Sequence, residues 1–209
     1  MKPFKTFSAV GVPLDMLNVD TDQVIPARFL SRPLDERYGS YLFHDLRFDA
    51  DGAERPDFVL NREGFRGAEV LVADRNFGCG SSRENAVTAL VEAGFRTVIA
   101  PSFGDIFYSN SLKNGFLPVR LPDETCRRLR EMLHEGPGGE ITVDLDSQTV
   151  TAPDQSTYSF EIDPFQKNKV MRGLDDIDFT MQFLGEIEAF EQGYDKRMTW
   201  VTTRPVQGV

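Results

Sequence analysis

An α/β fold with mixed parallel and antiparallel strands is predicted by three features of this 209-residue sequence. Between residues 68 and 136, short apolar runs of strand length alternate with segments of helical periodicity, the arrangement that joins parallel strands through helical crossovers. Past Pro137-Gly138-Gly139 the period drops to two around turn residues, as antiparallel strands require. A hydrophobic content of 40% over this length is enough for one well-buried domain. We assign that domain to residues 1–192 and treat 193–209 as a C-terminal tail.

Residues 5–12 (KTFSAVGV) read as a first strand, followed by an irregular stretch through Pro13 and Asn18. In 18–30 (NVDTDQVIPARFL), Asp and Thr side chains can bond nearby amides and hold an exposed turn, and Pro26 ends any strand through Val24 and Ile25. Residues 31–67 are polar and broken by Arg32-Pro33, Gly39, Asp51-Gly52 and Arg55-Pro56, with scattered aromatics. An irregular segment of this length is expected to be lid-like. Strands are then expected at 68–74, 97–101 and 117–121, and helices after Glu84, from 102 to 114 with Gly115 as its stop, and from Asp123 to Gly136. Residues 140–145, 149–151 and 157–162 are the antiparallel strands. Asp163-Pro164 opens a helix that Gly173 closes, and a last amphipathic helix covers about 176–190. The tail carries the single tryptophan, Trp200.

A net charge of -10 and a pI near 4.7 argue against nucleic acid or an anionic membrane surface as partner, because both need a basic footprint. The first residues lack the apolar core of about 7 to 15 residues that a signal peptide carries, and no run approaches the ~18 apolar residues of a membrane span. A cytoplasmic protein is expected. Cys79 and Cys126 read as reduced thiols. With two cysteines and two histidines the metal inventory is weak: no metal site is assigned, and a cubane cluster wants about three or four cysteines.

The chemistry concentrates in 76–85 (NFGCGSSREN), a strand-to-helix turn. Glycine lets a ligand approach the main chain there, and a helix N-terminus offers unpaired N–H groups to an anion such as a small carboxylate. On spacing alone, Ser81-x-x-Glu84 is also explained by a helix capping box. A cap needs neither the preceding Gly80 nor Arg83, so the full string is the more specific signal. Gly78-Cys79-Gly80 lacks the third glycine of a dinucleotide fingerprint. Asp20-Thr21-Asp22 lacks the glycine and terminal glutamate of a calcium loop and reads as a turn. Cys79 reads as an inert loop thiol, His44 and His134 as surface residues, and Arg127, Arg128 and Arg130 as a solvated helix face.

The strings Asp20-Thr21-Asp22-Gln23-Val24-Ile25-Pro26-Ala27-Arg28-Phe29-Leu30 and Asn76-Phe77-Gly78-Cys79-Gly80-Ser81-Ser82-Arg83-Glu84, with Phe103-Gly104-Asp105-Ile106-Phe107, Asn110 and Gly173-Leu174-Asp175-Asp176-Ile177, carry a resemblance along most of the chain. It resembles the small-subunit family of 3-isopropylmalate dehydratases, related to the swivelling domain of aconitase. The resemblance implies a swivelling β/β/α domain and a hydro-lyase that moves a hydroxyl between adjacent carbons of a small diacid in leucine biosynthesis. It also implies a separate large subunit carrying a [4Fe-4S] cluster, with no cofactor in this chain. By the same resemblance Ser81 is the base, Arg83 and Ser82 hold a substrate carboxylate, and Gly80 shapes the turn. Asp22 is an acidic residue beside the site, and Arg28, with Phe29 and Leu30, meets the isopropyl group. Asn85 stands where the family commonly has histidine, and its usual Pro-Trp is replaced near Val87 and Thr88. A related hydro-lyase for another diacid, of citraconate, maleate or homoaconitate type, and a non-catalytic partner-binding subunit are the alternatives.

Overall fold

The structure, a computed structural model, describes residues 1–81 and 83–198. Its centre is a seven-stranded sheet in the order β4-β3-β2-β1-β5-β6-β7. The strands are β1 (Phe7–Leu14), β2 (Val70–Ala73), β3 (Thr97–Ala100), β4 (Leu117–Arg120), β5 (Glu140–Asp144), β6 (Thr149–Thr151) and β7 (Thr157–Ser159). β1 through β4 run parallel, and β5 through β7 continue from β1 as an antiparallel ribbon. β1 is shared between the two halves. Its end Gly11–Leu14 pairs with Val70–Ala73, while Phe7–Val10 pairs with Val143–Glu140 in the opposite direction.

Two short helices, α1 (Thr21–Val24) and α2 (His44–Arg47), precede the crossover helices α3 (Glu84–Glu92), α4 (Asp105–Lys113) and α5 (Asp123–Glu135). α6 (Pro164–Arg172), α7 (Asp176–Met181) and α8 (Leu184–Arg197) complete the order. β2 and β3 are buried along their whole length, which is why they read in sequence as plain apolar runs. The loops that leave the carboxyl ends of β1, β2 and β3 gather at one edge of the parallel half, where ligands bind in open α/β sheets. Isolated bridges Asp20–Cys79 and Phe77–Phe103 join these three loops to each other.

Four local expectations change. Val24-Ile25 does not extend a strand: Asp20 caps a single helical turn, and Ile25 alone is extended. The 176–190 helix is two helices, broken where Phe183 turns its ring onto Phe179 at 5.5 Å. Segment 31–67 is packed rather than loose. It folds into 3-10 turns at Tyr38–Tyr41, Val59–Asn61 and Glu63–Phe65 plus α2, and it buries Tyr38, Leu42, Phe43, Val59 and Phe65. The tail residues 199–209, with Trp200, lie outside the described residues.

Arg130 is the fourth. It does not share the solvated face of Arg127 and Arg128, because positions 126, 129, 130 and 133 form the inner stripe of α5. Its guanidinium is buried and donates to the Ala73 carbonyl at 2.9 Å, to Asp74 at 2.9 Å and to Asp15 at 2.8 Å. It thus ties the carboxyl ends of β1 and β2 to α5. On the same stripe, burial pushes the Cys126 thiol up from 9.0 to about 12. The folded chain therefore holds this proton more tightly than the unfolded chain. The stability from this difference is fully present below about pH 9 and is lost as the pH rises towards about 12. Alkaline denaturation curves are expected to fall less steeply over that window for Cys126→Ala than for the parent, and Ellman's reagent should reach Cys79 before Cys126 in the folded chain.

Candidate active site

The turn after β2 is built from three left-handed positions, Asn76, Gly78 and Gly80. Asn76 tolerates its conformation because its amide is used twice: the backbone N–H donates to Ser102 Oγ and the side-chain Nδ2 to Asn18 Oδ1, both at 2.9 Å. The two glycines are needed for space as well as for backbone sign. A Cβ on Gly78 would sit 2.2 Å from the Phe107 ring, and one on Gly80 would sit 2.0 Å from the Asp20 carboxylate. Main-chain bonds fix the turn on both sides. Gly78 and Cys79 N–H donate to the Val19 carbonyl at 2.8 and 3.1 Å, Thr21 N–H to Cys79 at 3.0 Å, and Gly104 N–H to Phe77 at 2.9 Å.

Ser81 follows this turn and is exposed. Ser82, the other hydroxyl assigned to a carboxylate, lies outside the described residues. Arg83 occupies the N-cap position of α3 without making a side-chain cap. Its Nη1 donates instead to Asp22 Oδ1 at 2.7 Å, a pair spanning 61 residues of sequence with both side chains partly exposed. The capping box expected at Ser81 and Glu84 is not formed, because α3 begins at Glu84 and Glu84 Oε1 accepts from Asn114 Nδ2 at 2.9 Å. A capping box closes at α1. Asp20 Oδ1 accepts from Asp22 N–H at 2.7 Å, and Gln23 Oε1 accepts from Asp20 N–H at 2.9 Å. Asp20 thus holds the local turn and packs against Gly80, which frees the Asp22 side chain for Arg83. The cap was legible in the spacing Asp20-x-x-Gln23, but its contact with Gly80 was not.

Arg28 is placed differently. It donates to Asp45, lies 3.4 Å from His44 Nδ1 and sits 4.5 Å above the Phe29 ring. The hydrogen bond it donates to Asp45 raises its pKa, and the same bond holds the Asp45 carboxyl below its usual range. Phe29 is mostly buried and stacks on Tyr41 with ring centroids 4.3 Å apart. It supports Arg28 and offers little surface of its own. Tyr38 escaped the sequence reading of the site; it is buried, and Asn85, singled out in sequence only as a departure from the family's histidine, donates from Nδ2 to Tyr38 Oη at 2.8 Å. No local pattern announces a contact between positions 47 residues apart.

Neither thiol suits a cluster. Burial raises the pKa of Cys79, with Asp20 adding to the effect, and Cys126 is enclosed in the core. Among the described residues no group of three or more His, Cys, Asp or Glu side chains converges on a metal position. No helix among them is long and apolar enough to cross a membrane.

The aconitase C-terminal domain family matches residues 1–124, and the LeuD_N family matches 127–164. The 3-isopropylmalate dehydratase small subunit of Roseobacter denitrificans is 48% identical over 96% of this chain and 100% of its own length. That of Paramagnetospirillum magneticum is 47% identical with the same coverage. A crystal structure of 3-isopropylmalate dehydratase from Methanocaldococcus jannaschii superposes with a TM-score of 0.62 at 25% identity, covering 89% of this chain and 99% of that one. The expected mixed-sheet fold and the resemblance read from residues 20–30 and 76–84 are both borne out: the chain belongs to the 3-isopropylmalate dehydratase small-subunit family of the aconitase C-terminal domain.

Proposed function

We propose that this chain is the small subunit of a cytoplasmic, heteromeric hydro-lyase of leucine biosynthesis. It interconverts 2-isopropylmalate and 3-isopropylmalate through 2-isopropylmaleate, and it is active only with a large subunit that carries a [4Fe-4S] cluster. The observation that carries this reading is the Gly80 turn: clamped against Asp20, it presents exposed Ser81 beside an Arg83 that Asp22 has already oriented. Neither nucleic acid nor membrane is a partner in this reading.

The reaction removes a proton from a carbon next to a carboxylate, a weak acid, so it needs a base and a sink for the developing charge. Ser81 Oγ takes that proton. A serine hydroxyl is too weak an acid to lose its own proton unaided. The positive end of α3 and the neighbouring amides of Gly80, Ser81 and Arg83 favour the alkoxide. Arg83 binds a substrate carboxylate through the part of its guanidinium not turned to Asp22, which fixes the register of the reacting carbon against Ser81. Ser82 supports the same carboxylate. Arg28, anchored by Asp45, faces the variable group of the substrate with Leu30. The electrophile for the leaving hydroxyl is left to the partner, since this chain's donor set does not fit a cluster.

Arg83→Lys removes the planar fork and is expected to raise KM by about tenfold or more while the heteromer still assembles. Asp22→Asn, which weakens the orientation of Arg83 without removing it, should raise KM less. Steady-state assays of both variants check the order. The reading itself is tested by anaerobic reconstitution with a cluster-bearing large subunit and a panel of 2-isopropylmalate, citraconate and maleate. Preferred turnover of 2-isopropylmalate is expected. Turnover of another diacid without it overturns the substrate assignment, and turnover of none returns the chain to a partner-binding role.

A further inference from the structure

The wall that carries Arg28 is joined to the helix behind the candidate site by a part-buried hydrogen bond. Asn85 is the second residue of α3, two positions after Arg83, and its Nδ2 donates to Tyr38 Oη at 2.8 Å. Tyr38 is only 2% exposed. From there a continuous set of ring contacts leads outward: Tyr38 meets Tyr41 edge-on at 5.9 Å, Tyr41 stacks on Phe29 at 4.3 Å, and Arg28 lies 4.5 Å above Phe29.

The same wall is also anchored by the buried side chains of Leu42 and Phe43 and by two backbone contacts. Gly39 is pressed against the other end of α3, where a Cβ would come within 2.4 Å of the Glu92 carbonyl. Phe43 N–H donates to the Val24 carbonyl at 2.7 Å, which fixes the wall to α1. These contacts set how close the 38–41 turn lies to α3. Stacked rings slide at little cost, whereas a hydrogen bond selects one distance and one angle. The Asn85 bond is therefore what fixes the position of the rings, and of Arg28 above them, against the turn that bears Ser81.

We propose that Asn85 and Tyr38 form a positioning pair that sets the Arg28 wall in register with the catalytic turn and thereby governs which substrate side chain is accepted. The identity of that substrate rests on the function proposed above. Asn85→Leu and Tyr38→Phe each leave one partner without its hydrogen bond in a half-buried place. Asn85→Asp keeps the bond with its direction reversed, the tyrosine hydroxyl donating to the carboxylate.

The test has two arms. In the reconstituted heteromer, kcat/KM is measured for 2-isopropylmalate and for its analogue with methyl in place of isopropyl. Asn85→Leu and Tyr38→Phe should each shift the ratio of the two by about tenfold, mainly through KM. Asn85→Asp should restore it, and the double variant should be no worse than either single one. In the isolated chain, hydrogen exchange of amides 38–48 should quicken in Asn85→Leu, return to the parent rate in Asn85→Asp, and leave β2 and β3 unchanged in both. A folded Asn85→Leu chain with parent exchange rates over 38–48 overturns the positioning role. So does an unchanged substrate ratio in a heteromer that turns over 2-isopropylmalate. If the parent heteromer turns over neither substrate, the functional reading fails by itself, and the exchange experiment still decides the positioning role.

Discussion

Ser81→Ala is expected to lower the turnover of the reconstituted heteromer by about a thousandfold or more, the upper part of the range that a positioned base contributes. KM should change little, because the carboxylate contacts belong to Arg83 and its neighbour. The fall should not come from unfolding. Ser81 is exposed, and its expected capping role is absent because α3 starts three residues later. Removing its hydroxyl should therefore change stability by no more than about 0.5 kcal/mol. Paired measurements of kcat and of the denaturation midpoint separate the two effects. A variant with near-parental turnover would remove Ser81 from the chemistry and leave the turn as a carboxylate cradle.

The largest effect on stability is expected at Gly78. A methyl group there enters the Phe107 ring, which is fully buried and packed edge-on against Phe77 at 5.3 Å, so the ring cannot step aside into solvent. The left-handed backbone adds a second penalty for any side chain. Overpacking and the backbone term together put Gly78→Ala at about 3 kcal/mol of destabilisation. Gly52→Ala is the control: its φ is also positive, at 83°, but a Cβ there meets nothing within 4 Å. It should lose only the backbone part, about 1 kcal/mol. Urea denaturation of the isolated chain should show both as shifts of midpoint at constant slope, with Gly78→Ala clearly the greater. Equal losses would mean that the space around Gly78 is unimportant.

How far the sequence reads into this molecule depends on whether the cause is local. The parallel strands were legible because burial on both faces makes them continuous apolar runs such as Val70–Ala73 and Thr97–Ala100. That β1 serves both a parallel and an antiparallel half of one sheet was not legible, since its alternation is the same whether its neighbour is Val70 or Val143. Any strand through Val24 and Ile25 was expected to end at Pro26, but the Asp20 cap makes a helical turn of Thr21–Val24 instead. Arg130 read as a solvent charge because its acidic partners lie 56 and 115 residues away. The same division holds in the site. Glycines at 78 and 80 announced close approach, but only the fold supplied what approaches them: a phenylalanine ring and the Asp20 carboxylate. Arg83 and Asp22 were each singled out from resemblance, and their ion pair emerges once the loops after β1 and β2 are side by side.

The central claim is that this turn is half of an active site, with Ser81 as its base, completed by another protein. Competition between the parent chain and Ser81→Ala for a limiting amount of cluster-bearing large subunit tests it most directly. Turnover of 2-isopropylmalate should be absent with either protein alone and saturate as the parent chain is titrated in. It should then fall in proportion to the share of Ser81→Ala added. Undiminished turnover after the variant has displaced the parent chain would contradict the role of Ser81, and turnover by this chain alone would contradict the shared site.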